Sequence, residues 1–162
     1  MKVDDNFYRT IWIADDGWAV EIIDQTKLPH NFAIARLESL DDACKAIRDM
    51  WVRGAPLIGA TAAYGMALAM HNDPSDKGVR AAYAALYETR PTAVNLRWAL
   101  DDMRALLAEL HSDEREKAAY RRAAEICDED VAICSAIGDH GKLLIEAAWQ
   151  KKGKPSLGDG GI

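Results

Sequence analysis

Between Pro56 and Met70 the chain runs through Ala60, Ala62, Ala63, Ala67 and Ala69, with Gly59 and Gly65 among them and no charged residue. A helix that is apolar on every side has to be buried on every side. Side chains this small let neighbouring backbones approach closely. The stretch therefore predicts a central helix covered by several others, which constrains the fold to a helical bundle.

What precedes that helix points to chemistry. Arg53-Gly54-Ala55-Pro56 opens it, and Arg90-Pro91-Thr92-Ala93-Val94-Asn95 repeats the device. In each, an arginine stands just before a proline that starts a helical pattern. Proline suits the first helical position, where its missing N–H has no partner to lose. Helix N-termini carry free N–H groups and partial positive charge, so anions settle there. A guanidinium fork beside them matches phosphate oxygens. Gly54 lets a ligand approach the backbone without meeting a Cβ. Two such devices suggest a phosphorylated small molecule. Two plainer readings stand beside this one. Arg53 would equally cap the C-terminus of the helix before it, where cations are favoured, and Pro91-Thr92 would simply start a helix. Asn95 and Arg97, one turn further on, are within reach of the same ligand, although structural roles fit them better.

Around this centre the pattern changes twice. Thr10–Ile13 and Trp18–Ile23 are rich in β-branched and aromatic residues, with Asp15-Asp16-Gly17 as the turn between them. They predict a hairpin. A loop around Pro29 follows, then a third short strand over Phe32–Arg36. From Ser39 the period becomes helical, with Asp42 completing a capping box. Leu40, Ala43, Cys44, Ile47 and Trp51 form one stripe, which predicts a helix reaching Val52. Further helices are predicted over Val79–Glu88 and Thr92–Leu110. The second of these has Leu96, Leu100, Met103, Leu107 and Leu110 as a core seam. A long last helix from Ser112 carries Ala123, Ile126, Cys127, Ile133, Cys134, Ile137 and Leu144 on one stripe. Asp130 interrupts that stripe, and Gly138 and Gly141 are candidate kinks. The fold class is thus mostly α. A small antiparallel β element occupies residues 1–36, a bundle of about five helices residues 37–150, and a tail or linker residues 151–162. The five amphipathic segments from Ser39 to Ala148 should share one core.

Composition narrows the partners. A formal net charge of -6 disfavours nucleic acid and anionic membranes, both of which attract basic surfaces. There is no uncharged apolar stretch of membrane-spanning length, and Met1–Asn6 lacks the apolar centre of a secretory signal. Cys44, Cys127 and Cys134 form no C-x-x-C pair and read as reduced, mostly buried thiols of a cytoplasmic protein. His30, His71, His111 and His140 are scattered, which gives no support to a metal site. Phosphate loops of the P-loop or G-x-G-x-x-G type are not present. No nucleophile–base pair stands out.

Ala46–Gly59, followed by Ala62–Ala69, resembles the S-methyl-5-thioribose-1-phosphate isomerases. Thr89-Arg90-Pro91-Thr92-Ala93-Val94-Asn95-Leu96-Arg97-Trp98-Ala99-Leu100 is a second signature. Asp24–His30 and Ile137–Gly141 fit as well, and the similarity covers roughly residues 10–154. That family groups with the regulatory α, β and δ subunits of eukaryotic initiation factor 2B and with ribose-1,5-bisphosphate isomerase. The resemblance implies a helical N-terminal domain behind a small β element, then a Rossmann-like domain, in a homodimer. It implies that the substrate is a phosphorylated sugar. Its phosphate would be held by Arg53 and Arg90, with the backbone of Gly54 and Ala55 assisting. The reaction, in methionine salvage, turns an aldose 1-phosphate into a ketose 1-phosphate without metal or organic cofactor. The family places its acid/base cysteine in a Thr-His-Cys-Asn segment soon after the position of Pro155, where this chain reads Ser156-Leu157-Gly158-Asp159-Gly160-Gly161-Ile162. None of the three cysteines matches it. The resemblance therefore assigns no catalytic residue here and expects the Rossmann-like domain to be absent. It expects an N-terminal domain inactive alone, acting as a homodimer or with a complementing C-terminal half. The alternatives are a non-catalytic assembly module like the initiation-factor subunits, or part of a ribose-1,5-bisphosphate isomerase.

Overall fold

The computed structural model describes residues 2–3 and 5–152. The tail expected over 151–162 lies mostly outside them; Lys151 is still helical and Lys152 sits in a turn.

Two small antiparallel sheets come first. β1 (Lys2–Val3) pairs with β2 (Asn6–Phe7), a hairpin the sequence pattern does not announce. β3 (Ile11–Ile13), β4 (Val20–Ile23) and β5 (Ile34–Leu37) form a three-stranded sheet in that order. Gly17 takes φ 83 in the β3–β4 turn, where a side chain would be strained. Trp12 stands opposite Glu21 and donates its indole N–H to that carboxylate at 2.8 Å. Ile11, Val20, Ile22 and Leu37 turn inward and join the helical core.

α1 (Leu40–Arg48) begins as its sequence says. Ser39 Oγ accepts from the Asp42 amide at 3.1 Å. The Asp42 carboxylate reaches back to the Glu38 amide at 3.0 Å rather than to Ser39's own. The helix stops four residues short of Val52. The Met50 amide donates to the Ile47 carbonyl, and the Trp51 amide donates to that of Ala46 at 2.9 Å, with Met50 at φ 60. This is a Schellman closure with methionine where glycine is usual.

α2 (Ala55–Asn72) is the predicted central helix: every residue from Ile58 to Met70 is buried. It packs on α1, on α3 (Asp76–Thr89), and most extensively on α4 (Val94–Ala108). Leu96, Leu100, Met103 and Leu107 of α4 are fully buried, as the seam requires, and Leu110 is half-buried beyond the helix end. α5 (Ser112–Lys151) runs through Gly138 and Gly141 without a break.

Residues up to Cys127 form one compact unit and those from Asp128 another. The first buries Ala118, Ala119, Ala123 and Ile126 of α5. It also buries Arg115, whose guanidinium donates to the carbonyls of Leu107, Leu110 and Pro74 at 2.9, 3.1 and 2.9 Å. In the second unit the stripe is exposed: Ile133, Ile137 and Leu144 keep 59%, 65% and 74% of their surface. The single core expected from Ser39 to Ala148 therefore ends near Ile126. The thiols divide likewise, Cys44 being buried, Cys127 intermediate and Cys134 exposed. Burial pushes the Cys44 thiol up, which makes it inert.

Candidate anion site at two helix N-termini

The helix starts of α1 to α4 fall into two kinds. α1 and α3 are capped by serines. Ser39 is followed by Asp41 and Asp42, and Ser75 accepts from the Gly78 amide at 3.1 Å with Asp76 in the first turn. α2 and α4 have neither a side-chain cap nor an acidic residue in the first turn. Their leading N–H groups thus keep the hydrogen-bonding capacity that serine and aspartate take up elsewhere. These two are the helices preceded by Arg53 and Arg90.

Gly54 is the N-cap of α2 at φ 94 and ψ 134. A Cβ built there meets nothing within 4 Å. Its glycine character therefore serves the backbone angle and leaves the space in front of the helix open. Ala55 is the exposed first residue of α2 and Pro56 the second, so the proline sits in the first turn as its sequence position implies. Arg53 is exposed, and its Nε donates to the Met50 carbonyl at 3.4 Å. The capping interaction anticipated for it is thus long and made at the edge of the α1 closure. The main chain just before it is held firmly. The Gln25 amide donates to the Trp51 carbonyl at 2.8 Å, and Val52 is fully buried.

That anchor begins in an aspartate turn. Buried Asp24 accepts from the Thr26 hydroxyl at 2.6 Å and amide at 3.0 Å, and pairs with Lys27 at 3.5 Å. Burial raises its carboxyl pKa. The Thr26 and Lys27 bonds outweigh that and leave it below the usual value. Composition and spacing gave Asp24 no role. The sequence signal was Asp24-Gln25-Thr26, an Asx-turn pattern, which fixes the strand end from which Gln25 grips the arginine loop.

Arg90 is half-buried and forms the C-cap of α3. Its carbonyl accepts from the Ala93 amide at 3.0 Å, closing a turn over Arg90-Pro91-Thr92-Ala93. Ala93, not Pro91, is the N-cap of α4, so Pro91-Thr92 does not open that helix. The proline instead presets the turn that leads into it. Asn95 is half-buried in the first turn of α4, and exposed Arg97 pairs with Asp101 at 3.6 Å.

The two arginine-led helix starts are neighbours. A Cβ built on Gly59 would lie 2.9 Å from the carbonyl oxygen of Asn95 and 3.6 Å from Cβ of Ala99. Gly59 is the fifth residue of α2 and Asn95 the second of α4, so the second turn of α2 packs against the first turn of α4.

Among the described residues no group of three or more His, Cys, Asp or Glu is placed to hold a metal ion. No described helix is long and apolar enough to cross a membrane. Asp130 is half-buried in the second unit.

Residues 51–152 match the model of the initiation factor 2 subunit family. The methylthioribose-1-phosphate isomerase of Paramagnetospirillum magneticum is 60% identical over 154 residues, which are 95% of this chain and 42% of that protein. The 5-methylthioribose 1-phosphate isomerase of Pyrococcus horikoshii OT3 superposes with a TM-score of 0.71 at 36% identity, covering 77% of this chain and 37% of that one. Subunit delta of the translation initiation factor eIF-2B from A. fulgidus gives 0.70 at 32%, covering 76% and 37%. The chain thus spans about two fifths of the length of the curated isomerases it matches.

Proposed function

The chain belongs to the initiation factor 2 subunit family, and from that premise we propose that it supplies the phosphate-anchoring part of an aldose–ketose isomerase. The substrate would be S-methyl-5-thioribose 1-phosphate and the product the corresponding ribulose 1-phosphate. In this reading Arg53 and Arg90 clamp the phosphate, and the amides of Gly54 and Ala55 donate to its oxygens. The observation that carries it is the pairing of the only two uncapped helix starts among the four N-termini from α1 to α4. Each has an arginine ahead of it, and Gly59 is packed against Asn95. The identity to named isomerases supports the choice of substrate over other phosphate esters.

Isomerisation requires a base that takes a proton beside the carbon being oxidised. The proposal gives this chain the binding of the phosphate, a handle remote from the reacting bond, and no share in proton transfer. Anchoring of that kind supplies orientation.

Calorimetric titration of the chain with methylthioribose 1-phosphate, and separately with inorganic phosphate, tests the assignment. Arg53→Ala and Arg90→Ala should each weaken binding by about 1.5–3 kcal/mol, the range for hydrogen bonds to charged groups. Binding untouched by either change would remove the site. The likeness to eIF-2B subunit delta favours a second reading, a non-catalytic assembly module. It gains if the sugar phosphate does not bind at all. Ribose 1,5-bisphosphate in the same titration separates the third reading, in which the second phosphate adds affinity.

A further inference from the structure

We infer that the side-chain amide of Asn95 reads the vicinal 2- and 3-hydroxyls of the sugar whose 1-phosphate the two arginines hold. The inference rests on the phosphate assignment to Arg53 and Arg90, and adds the group that separates a ribose ester from other phosphates. A Cβ built on Gly59 lies 2.9 Å from the Asn95 carbonyl oxygen. Gly59 and Ala55 are four apart on α2, so they share a face of that helix. Ala55 is exposed, one turn nearer the helix start, and the space at Gly54 is open. Helical side chains lean toward the N-terminus of their own helix. The Asn95 amide therefore extends over the first turn of α4, beside the open space ahead of α2. Arg90 stands at the other end of the turn that leads into α4.

Among the described asparagines only Asn95 is not exposed. Yet its side chain bonds to no described residue, and neither its oxygen nor its nitrogen is sealed from solvent. Asn72, at the far end of α2, instead donates to the Leu68 carbonyl at 3.3 Å. A structural role for the Asn95 amide thus has no contact to rest on. The half-buried Arg90 guanidinium is likewise without a partner among the described residues. Polar groups drawn into a fold are as a rule hydrogen-bonded, and these two flank one turn.

Their chemistries divide the work. A guanidinium only donates and a phosphate dianion only accepts, so those two satisfy each other. A carboxamide does both. Against phosphate its oxygen has nothing to accept. Against a vicinal diol it accepts from one hydroxyl while its amino group donates to the next. In a ribose 1-phosphate the 2-hydroxyl is on the carbon beside the one that bears the phosphate. A side chain next to the phosphate clamp meets that hydroxyl first.

Calorimetric titration of the chain with ribose 1-phosphate, 2-deoxyribose 1-phosphate and inorganic phosphate tests this. The two esters differ only in the 2-hydroxyl. The parent chain should bind the ribose ester about three- to tenfold more tightly, the worth of a neutral hydrogen bond. Asn95→Ala should bind both esters alike and keep the parent's affinity for inorganic phosphate. Its melting temperature should not fall, because no bond of the fold is lost. Asn95→Asp sets a negative charge beside the anion and should weaken all three ligands. A parent that does not separate the esters, an Asn95→Ala chain that still separates them or melts lower, or inorganic phosphate binding indifferent to Asn95→Asp would each overturn the inference. Arg53→Ala and Arg90→Ala in the same titrations keep its failure apart from that of the phosphate site. If both weaken inorganic phosphate while the parent binds the two esters equally, only the role of Asn95 falls. If neither does, the phosphate site falls and the inference with it.

Discussion

Gly59→Ala tests whether the two uncapped helix starts depend on the contact between them. Two effects oppose each other. Alanine is favoured over glycine in a helix interior by about 1 kcal/mol, and Gly59 lies well inside α2. Against this, the new methyl would sit 2.9 Å from the Asn95 carbonyl oxygen and 3.4 Å from its carbon. Those are backbone atoms of a buried helix and cannot swing aside as a side-chain tip would. Restoring ordinary contact means parting α2 and α4 by about 0.5 Å where they pack most extensively. Overpacking of this kind costs typically 1–3 kcal/mol, and a backbone obstacle puts it in the upper half of that range. The net expectation is a loss of about 1–2 kcal/mol, or about 2–8 °C in melting temperature for a domain of this size. The same separation should weaken phosphate ester binding, because the arginine-led N-termini part with it. Urea and thermal unfolding followed by circular dichroism read the first effect, and calorimetry the second. Gly141→Ala is the control, since its methyl meets open space and only the helix gain remains. A Gly59→Ala chain at least as stable as the parent, binding the sugar phosphate equally well, would refute the reasoning.

Three further outcomes follow from particular contacts. Arg115→Ala strands the carbonyls of Leu107, Leu110 and Pro74 and should cost about 2–4 kcal/mol in urea unfolding; Asp76→Asn should cost under about 1 kcal/mol, because that partner of Arg115 is largely exposed. Met50→Gly should raise stability by about 0.5 kcal/mol, since relief of the left-handed conformation, about 1–2 kcal/mol, exceeds the added freedom of the unfolded chain, about 0.4–1 kcal/mol. Tyr120 has a buried hydroxyl without a hydrogen-bond partner among the described residues, and burial, reinforced by the charges of Glu116 and Asp16, pushes it up to about 12. The folded state then holds the phenol proton between pH 10 and about 12 while the unfolded chain releases it. Stability should therefore fall with rising pH across that window, and Tyr120→Phe should remove this part of the slope in a pH series of melting curves.

Much of this was legible from local chemistry. Ser39, the small-residue run of α2 and the leucine seam of α4 act through spacing alone, and each of the three helices formed, α1 and α4 within narrower bounds than their patterns. The misses have a common cause, which is that a pattern reports propensity and not what lies across from it. Leu40, Ala43, Ile47 and Trp51 keep helical spacing past Arg48, yet the chain closes there because Met50 turns left-handed and Trp51 reaches back to Ala46. Pro91 looked like a first helical residue, but the Arg90–Ala93 turn delays α4 to Val94. The stripe of α5 continues unchanged past Cys127, but among the described residues nothing covers it there, and periodicity cannot say whether an apolar face has been satisfied.

The candidate site shows the same division. Arg53 and Arg90 could be picked out individually, since each stands before a helix start. Their relation could not, because it depends on a tertiary contact through an atom Gly59 lacks. Gly59 reads in the sequence as one more small residue of a buried helix, and the structure gives it a specific neighbour in Asn95. Capping makes the contrast within one fold. Where α1 and α3 begin, serine and aspartate satisfy the first amides and add negative charge. Where α2 and α4 begin side by side, glycine and alanine stand at the N-cap and no carboxylate occupies the first turn. Leaving these starts without a side-chain cap forgoes about 1 kcal/mol at Ala93 and a few tenths of a kcal/mol at Gly54. That omission falls at the two N-termini led by arginine, and an anion bound across them would supply the missing acceptors and the missing charge together.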